Sequence, residues 1–351
     1  VIGLNIFHTI KKILLPSQRD QQNHTKSQTK REELSGTSTK DFQYIQHLFQ
    51  GADDFSYREI HTQSGLPTYV IFLSGLVDMD RLEAHVIQPL SYGMKDDKKI
   101  AKLDQIQDLI HSAEMSKEYM FDDIEKQLLA GAIILILDGS KECLVIQMQS
   151  WNFRAVSEPL SESVVYGPRE GFIESIKTNA SMIRKRLKTT KLKMESMKIG
   201  RLSQTEVMIV YLENIAQASI VKEVRTRLEG IDIDAIEDSG YILELIEDNP
   251  RTVFPQILQT ERPDRVVGHI LEGKIGILVE NSPFALVAPC TFFNMMASPE
   301  DYYGRFVISS FIRCLRYLFL FIALMFPAIY ISVTTFHHEL LPTNLLYSVA
   351  T

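Results

Sequence analysis

Thr260-Glu261-Arg262-Pro263-Asp264-Arg265 packs four charges around an expected helix start. Pro263 suits the first helical turn, where a missing N–H costs nothing. Thr260 or Glu261 near the cap and Asp264 in the first turn suit the helix dipole. Arg262 and Arg265 carry planar forks that pair bidentately with carboxylates. The chemistry open to this cluster is recognition: a salt-bridge cluster within the fold, or a contact with a neighbouring subunit.

Three further groups bear the same kind of chemistry. Gly167-Pro168-Arg169-Glu170-Gly171 has the glycines of an anion nest at a helix start. It lacks the Lys-Ser/Thr pair of a P-loop, so it reads as a turn and linker, with Arg169 and Glu170 free to bond across subdomains or subunits. Arg184, Lys185, Arg186, Lys188, Lys191, Lys193, Lys198 and Arg201 stand against Glu195. Their readings are a subunit or partner contact, anionic lipid headgroups, or a solvated helix face and loop. No aromatics interleave with them, which argues against nucleic acid. Asp301-Tyr302-Tyr303, followed by Arg313 and Arg316, reads as an aromatic belt at a membrane surface or as the point where a soluble domain couples to a membrane helix.

Bond-breaking chemistry has no such pattern. Adjacent residues on a helix point about 100° apart, so His337-His338-Glu339 is a poor chelating set. Glycine-rich nucleotide fingerprints, a nucleophile elbow and zinc spacing are absent from the sequence. No catalytic, cofactor-binding or metal-binding residue is assigned, and an enzyme is not expected.

The elements that hold these groups follow from apolar spacing. Helices are expected over 41–49, 78–90 (closed by Pro89), 98–110, 118–129, 218–229, 238–247 and 262–272. Phe172, Ile176, Ala180, Ile183 and Leu187 line one face of another, launched by the turn at Pro168–Gly171. SYREIHTQ, PTYVIFLSGLVD and residues 206–212 read as strands. Hairpins are expected around Asp138-Gly139-Ser140 and Asn281-Ser282-Pro283. Trp151, the only tryptophan, reads as a packing anchor.

From Tyr317 to Phe336 twenty residues pass without a charge, and a bilayer core needs about 20 apolar residues. Arg313 and Arg316 precede this span and place its N-terminal side in the cytoplasm. Pro327 inside it is tolerated by neighbouring helices. The stub after it reads as the beginning of a larger membrane domain cut short at Thr351. At the other end, VIGLNIFHTIKKILLP has the wrong charge order for a secretory signal, and residues 17–40 have little to bury. Length (351 residues), 45% apolar content, a net charge of −7 and three scattered cysteines fit a two-domain chain from a reducing compartment.

The fold class expected is therefore two cytoplasmic α/β subdomains followed by the start of an α-helical membrane domain. The divisions are a disordered or weakly ordered tail (1–40), a first α/β subdomain (41–153), a linker (154–171), a second α/β subdomain (172–290) and a juxtamembrane segment with the first transmembrane helix (291–351).

Four stretches go beyond periodicity: SEPLSESVVYGPREGFIESIKTNASMIRKRL, FPQILQTERPDRVVGHILEGKIGILVENSP, SPEDYYGRF and FHHELLP. In this order they resemble the A subunits of spore germinant receptors, the GerA family, from roughly Phe42 to the C-terminus. The resemblance implies a cytoplasmic region of two α/β subdomains followed by several membrane helices, in the inner membrane of a bacterial spore. It implies a transporter-like B subunit and a lipoprotein C subunit as partners, and a homo-oligomeric ring that releases cations when nutrients are sensed. In that setting Arg169, Glu170, Arg184, Arg186, Glu261, Arg262, Asp264 and Arg265 are candidate subunit or interdomain contacts. Asp301, Tyr302, Tyr303, Arg313 and Arg316 are candidates for coupling to the membrane. The alternative is a membrane-anchored module with a small ligand in the cleft between the two α/β subdomains.

Overall fold

The computed structural model describes residues 32–61, 67–93, 103–110, 114–149, 158–159, 161–164, 166–249 and 251–336. Trp151, residues 1–31 and His337-His338-Glu339 lie outside them.

The first unit opens with α1 (Ser38–Leu48), β1 (Phe55–His61) and β2 (Pro67–Leu73). A helical stretch follows: α2 (Met79–Leu82), a π-helical turn (Glu83–Ile87) and α3 (Gln88–Gly93). Then come α4 (Leu103–Gln107), β3 (Met115–Glu118), α5 (Phe121–Leu129), β4 (Ile133–Leu137) and β5 (Cys143–Ile146). The strands form one antiparallel sheet in the order β1-β2-β4-β5-β3.

Both faces of this sheet are covered. Tyr69, Ile71, Leu73, Ile134 and Ile136 pack against Phe42 and Ile45 of α1 and Ile124 and Leu128 of α5. Val70, Phe72, Ile133, Leu135 and Leu137 pack against Leu82, Val86, Leu90 and Ile106 on the other side. A strand buried on both faces needs apolar residues at every position, so β2 and β4 read as continuous apolar runs.

The second unit repeats this plan. Its elements are α6 (Ile176–Arg186), β6 (Leu192–Ile199), β7 (Thr205–Leu212), α7 (Ala218–Glu229) and α8 (Ser239–Ile246). They continue with β8 (Leu258–Thr260), α9 (Pro263–Leu271), β9 (Ile275–Val279) and β10 (Ala285–Ala288). Its sheet runs β6-β7-β9-β10-β8, the same order as the first, with α6 and α9 on one face and α7 and α8 on the other. A capping device is also repeated. Asp138 in the β4–β5 turn accepts from the Ser38 N–H at 2.9 Å, and Glu280 at the end of β9 accepts from the Ile176 N–H at 2.8 Å. In each unit a hairpin carboxylate thus satisfies an orphan N–H at the positive end of the first helix.

Several expectations change. Pro89 does not close its helix, which runs on to Gly93. The wide π turn just before it changes the hydrogen-bond register, so the ring enters without breaking the coil. Glu118 ends β3 rather than starting α5; a polar four-residue edge strand carries no apolar alternation to read. The helix after the linker begins at Ile176, not Phe172, because the Asn179 side chain bonds both the N–H and the C=O of Ile173 and holds that segment out of the coil. The basic run is not a helix face and loop. It spans the end of α6, a turn and β6. At the other end, the described residues reach back to Glu32, into the stretch expected as tail, where Leu34 is buried in the first core and Glu33 pairs with Met120.

After β10 the chain forms α10 (Phe292–Met295), a 3-10 turn (Pro299–Tyr302) and α11 (Phe306–Phe336). At 31 residues, α11 starts well before the uncharged stretch and is long and apolar enough to cross a bilayer. The uncharged stretch alone covers about 30 Å at ~1.5 Å per residue.

Candidate functional site

Polar contacts join the parts of the molecule at three places. The first is the seam between the two units. β6 is an edge strand, and an open edge invites pairing with other chains. Here the turn after α1 covers it: the Asp53 N–H donates to Met194 O at 2.8 Å, and the Met194 N–H donates to Gly51 O at 3.0 Å. Asp53 Oδ2 also accepts from the Ser196 N–H at 2.6 Å. Beside this bridge Arg184 of α6, 1% exposed, grips Asp54 through Nε and Nη2 at 2.8 and 2.7 Å. Its Nη1 donates to Thr189 O and Leu192 O. Of the basic run, Arg184 makes the buried bidentate pair across the seam. Arg186 and Lys185 face Glu170 at the end of the linker instead.

The seam leaves little room for a ligand. The crevice lined by Asp54, Ser74, Gly75, Ser181 and Arg184 holds about 70 Å³. Small-molecule pockets run to roughly 300–1,000 Å³. A larger open groove of about 800 Å³ lies on the second unit, lined by Lys177, Lys198, Glu206, Glu237 and Glu280.

The second place is the linker. Arg262, the N-cap residue of α9 and fully buried, donates to the carbonyls of Glu162 and Pro168, both at 3.2 Å. Its other N–H groups meet both Asp264 oxygens, at 3.1 and 2.9 Å. Arg265 Nη1 lies 2.6 Å from Glu162 Oε1. Glu261 accepts from the Ser161 N–H through its side chain and from the Phe172 N–H through its carbonyl. Thr260 Oγ1 donates to Glu162 Oε2 at 2.5 Å, so Thr260, Glu261, Arg262 and Arg265 together hold the linker onto the start of α9. Arg169, by contrast, is exposed and lies 4.0 Å from Glu158, its one ion-pair partner among the described residues.

The third place connects this clamp to the long apolar helix α11. The Tyr303 hydroxyl donates to Asp264 Oδ2 at 2.5 Å. Burial, then the Asp264 carboxylate, push the Tyr303 phenol up to about 12. Gly167 (φ +135°) lets the linker pass under this ring; a Cβ there would sit 3.0 Å from Tyr303 and 3.3 Å from the Arg262 fork. Two residues earlier Asp301, almost fully buried, accepts from Arg316 at 3.0 and 3.3 Å, from Arg313 at 3.4 Å and from the Ser298 N–H at 3.2 Å. Burial alone would raise the Asp301 pKa; Arg316, the Ser298 N–H and Arg313 outweigh it and hold the carboxyl below its usual range. Arg316 also donates to Met296 O. Tyr302 stays more than half exposed.

One cluster had no signal in the sequence. His269 of α9 is buried, with Nδ1 3.0 Å from Lys274 Nζ and 3.2 Å from Glu272 Oε2. Burial, then the Lys274 ammonium, lower its pKa, with Arg265 adding to them and Glu272 opposing. In the unfolded chain the ring protonates near 6.5. Between the lowered folded value and 6.5 the unfolded state binds more protons, so stability rises with pH. The stability that His269 contributes is complete above about 6.5 and is lost as pH falls through the folded value. Thermal melts over this range should show that loss, and His269→Gln should remove it. Among the described residues no three His, Cys, Asp or Glu side chains converge as a metal would need.

Comparison with known proteins places the geometry in context. The family model for the Bacillus/Clostridium GerA spore germination protein matches residues 43–351. Spore germination protein KA of Bacillus subtilis is 40% identical over 305 residues, 85% of this chain and 55% of the relative. The uncharacterized membrane protein YfkQ of the same organism is 37% identical over 304 residues, 86% of this chain and 59% of the relative. The chain thus spans less than two thirds of the length of these relatives. Among solved structures, the N-terminal domain of the A subunit of the Bacillus megaterium spore germinant receptor GerK3 superposes with a TM-score of 0.58 at 32% identity. That match covers 75% of this chain and 98% of the solved one.

Proposed function

The chain belongs to the GerA family of spore germination proteins, and from that membership we propose that it is the A subunit of a nutrient germinant receptor, converting nutrient recognition into a movement at the membrane. The family is one of germinant receptor subunits, not a known enzyme class. In this reading the two α/β units lie on the cytoplasmic side of the inner spore membrane, and α11 is the first of several spans. Copies of the chain assemble into an oligomeric cation channel, beside a transporter-like B subunit and a lipoprotein C subunit.

One observation carries the proposal: a run of contacts from linker to helix, made by side chains and, between Tyr303 and Asp301, by the backbone of one short turn. Arg262 holds the linker and Asp264; Asp264 holds Tyr303; and within the same short segment Asp301 holds Arg313 and Arg316 of α11. A shift of the linker or of α9 is thereby passed to the first turns of the apolar helix. Such a device needs two arrangements whose balance a ligand biases, and no bond-breaking. The alternative, a ligand held between the two units, meets the small crevice at the seam.

The test is germination of spores in which this chain, produced with its partner subunits, is the only family member. They should respond to nutrient. Asp301→Asn, made at the same level, should respond more slowly, because Arg313 and Arg316 lose their counter-charge. Equal responses with and without the chain would overturn the proposal.

A further inference from the structure

The loop from Asp248 to Gln256 is closed at its neck and apolar at its tip. The Asp248 N–H donates to Gln256 Oε1 at 2.9 Å, and the Gln256 N–H donates to Glu247 Oε1 at 3.1 Å. The Cys290 N–H then donates to Gln256 O at 2.7 Å and ties the neck to the exit of β10. Outside this neck Val253 is 90% and Phe254 61% exposed. A pinned loop that holds two large apolar side chains in water has no reason within the fold.

The tip is linked to the membrane helix by aromatic rings. Phe254 meets Phe292 edge-on at 6.1 Å between centroids, Phe292 meets Phe293 at 6.1 Å, and Phe293 meets Tyr317 at 5.8 Å. Phe293 is itself 67% exposed. Tyr317 is the first residue of the uncharged stretch, and Arg316 just before it and Arg313 one turn earlier are held by Asp301. When that stretch fills the hydrocarbon, its first residue stands at the headgroup boundary, where aromatic side chains are enriched. The ring contacts tie Phe293 and the loop tip to that boundary. Thr252-Val253-Phe254-Pro255 carries no charge, and Arg251 beside it suits headgroup phosphates.

We propose that Val253, Phe254 and Phe293 form a membrane-docking surface that dips into the lipid interface beside α11, so that the second unit is held against the bilayer at two points. The partner is the lipid surface itself. The proposal rests on α11 being a membrane span, and the experiment separates the two claims.

Tryptophan is placed at the tip (Phe254→Trp) or in mid-span (Leu324→Trp), in a Trp151→Phe background, and the chain is reconstituted into phosphatidylcholine nanodiscs with brominated acyl chains. Circular dichroism confirms that each variant is folded. The expected result is loss of Phe254→Trp emission, greater with bromines near the headgroup than near the chain ends, and the reverse order for Leu324→Trp. Quenching of Leu324→Trp alone overturns the docking surface and leaves the span. This holds whether the Phe254→Trp emission is red-shifted, as in water, or blue-shifted, as under another protein surface. Quenching of neither overturns both.

Discussion

Arg184→Ala should destabilise the protein by about 3–5 kcal/mol, the usual cost of leaving one member of a buried ion pair without its partner. For the two units melting together, about 250 residues, that is a fall in melting temperature of roughly 6–20 °C. The size follows from burial. Arg184 is 1% exposed and the Asp54 side chain 10%, so neither charge can recover its hydration when the other is removed. Thr189 O and Leu192 O lose their donor as well. Asp54→Ala should cost a similar amount, because it strands the guanidinium. The double variant Arg184→Ala with Asp54→Ala should lose less than the sum, since removing both partners strands neither charge. Thermal melts of the four proteins check this. Additive losses would mean that the pair does not hold the seam.

Arg262→Ala should free the linker without unfolding either sheet. The substitution leaves the half-buried carbonyls of Glu162 and Pro168 without this donor and Asp264 without its cation; about 1–3 kcal/mol per group is the cost at full burial, and water reaching these groups reduces it. The loss is local, because the Arg262 side chain bonds only the linker and the first turn of α9 among the described residues, and its backbone N–H keeps its bond to Thr260 Oγ1 at the end of β8. Amide exchange should accelerate over residues 161–172 and at the start of α9, while β7 and β9 stay protected. Arg262→Lys should not restore protection, because an ammonium cannot reach two carbonyls and bind a carboxylate bidentately. Unchanged exchange in the linker would show that it is held by something other than this side chain.

How far this could be read beforehand depends on the kind of signal. The strands buried on both faces were legible because β2 and β4 are unbroken apolar runs, and α7 and α9 because their apolar spacing and Pro263 mark helices. The edge strands β3 and β8 were not: Met-Ser-Lys-Glu and Leu-Gln-Thr take their place from the neighbour they pair with. The TERPDR stretch stood out through charge density, Asp301-Tyr302-Tyr303 through its tyrosines just ahead of the apolar span, and Arg184 only as one of many basic residues. Their partners Asp54 and Glu162 gave no signal, since a carboxylate becomes the mate of a distant arginine only once the fold brings them together. The likeness of the two units was half visible, in the hairpin that ends each; the shared strand order needs pairing, which no single stretch encodes.

The central claim is that the Arg262 clamp and the Asp301 contacts with Arg313 and Arg316 are one connected path, and a double-mutant cycle on the germination rate tests it. Tyr303→Phe cuts the contact with Asp264, and Asp301→Asn weakens the hold on Arg313 and Arg316. If the signal runs through both, the double variant should germinate no more slowly than the slower single variant. If the two fold-reductions multiply instead, the contacts act independently, and the soluble units do not drive the helix through this path.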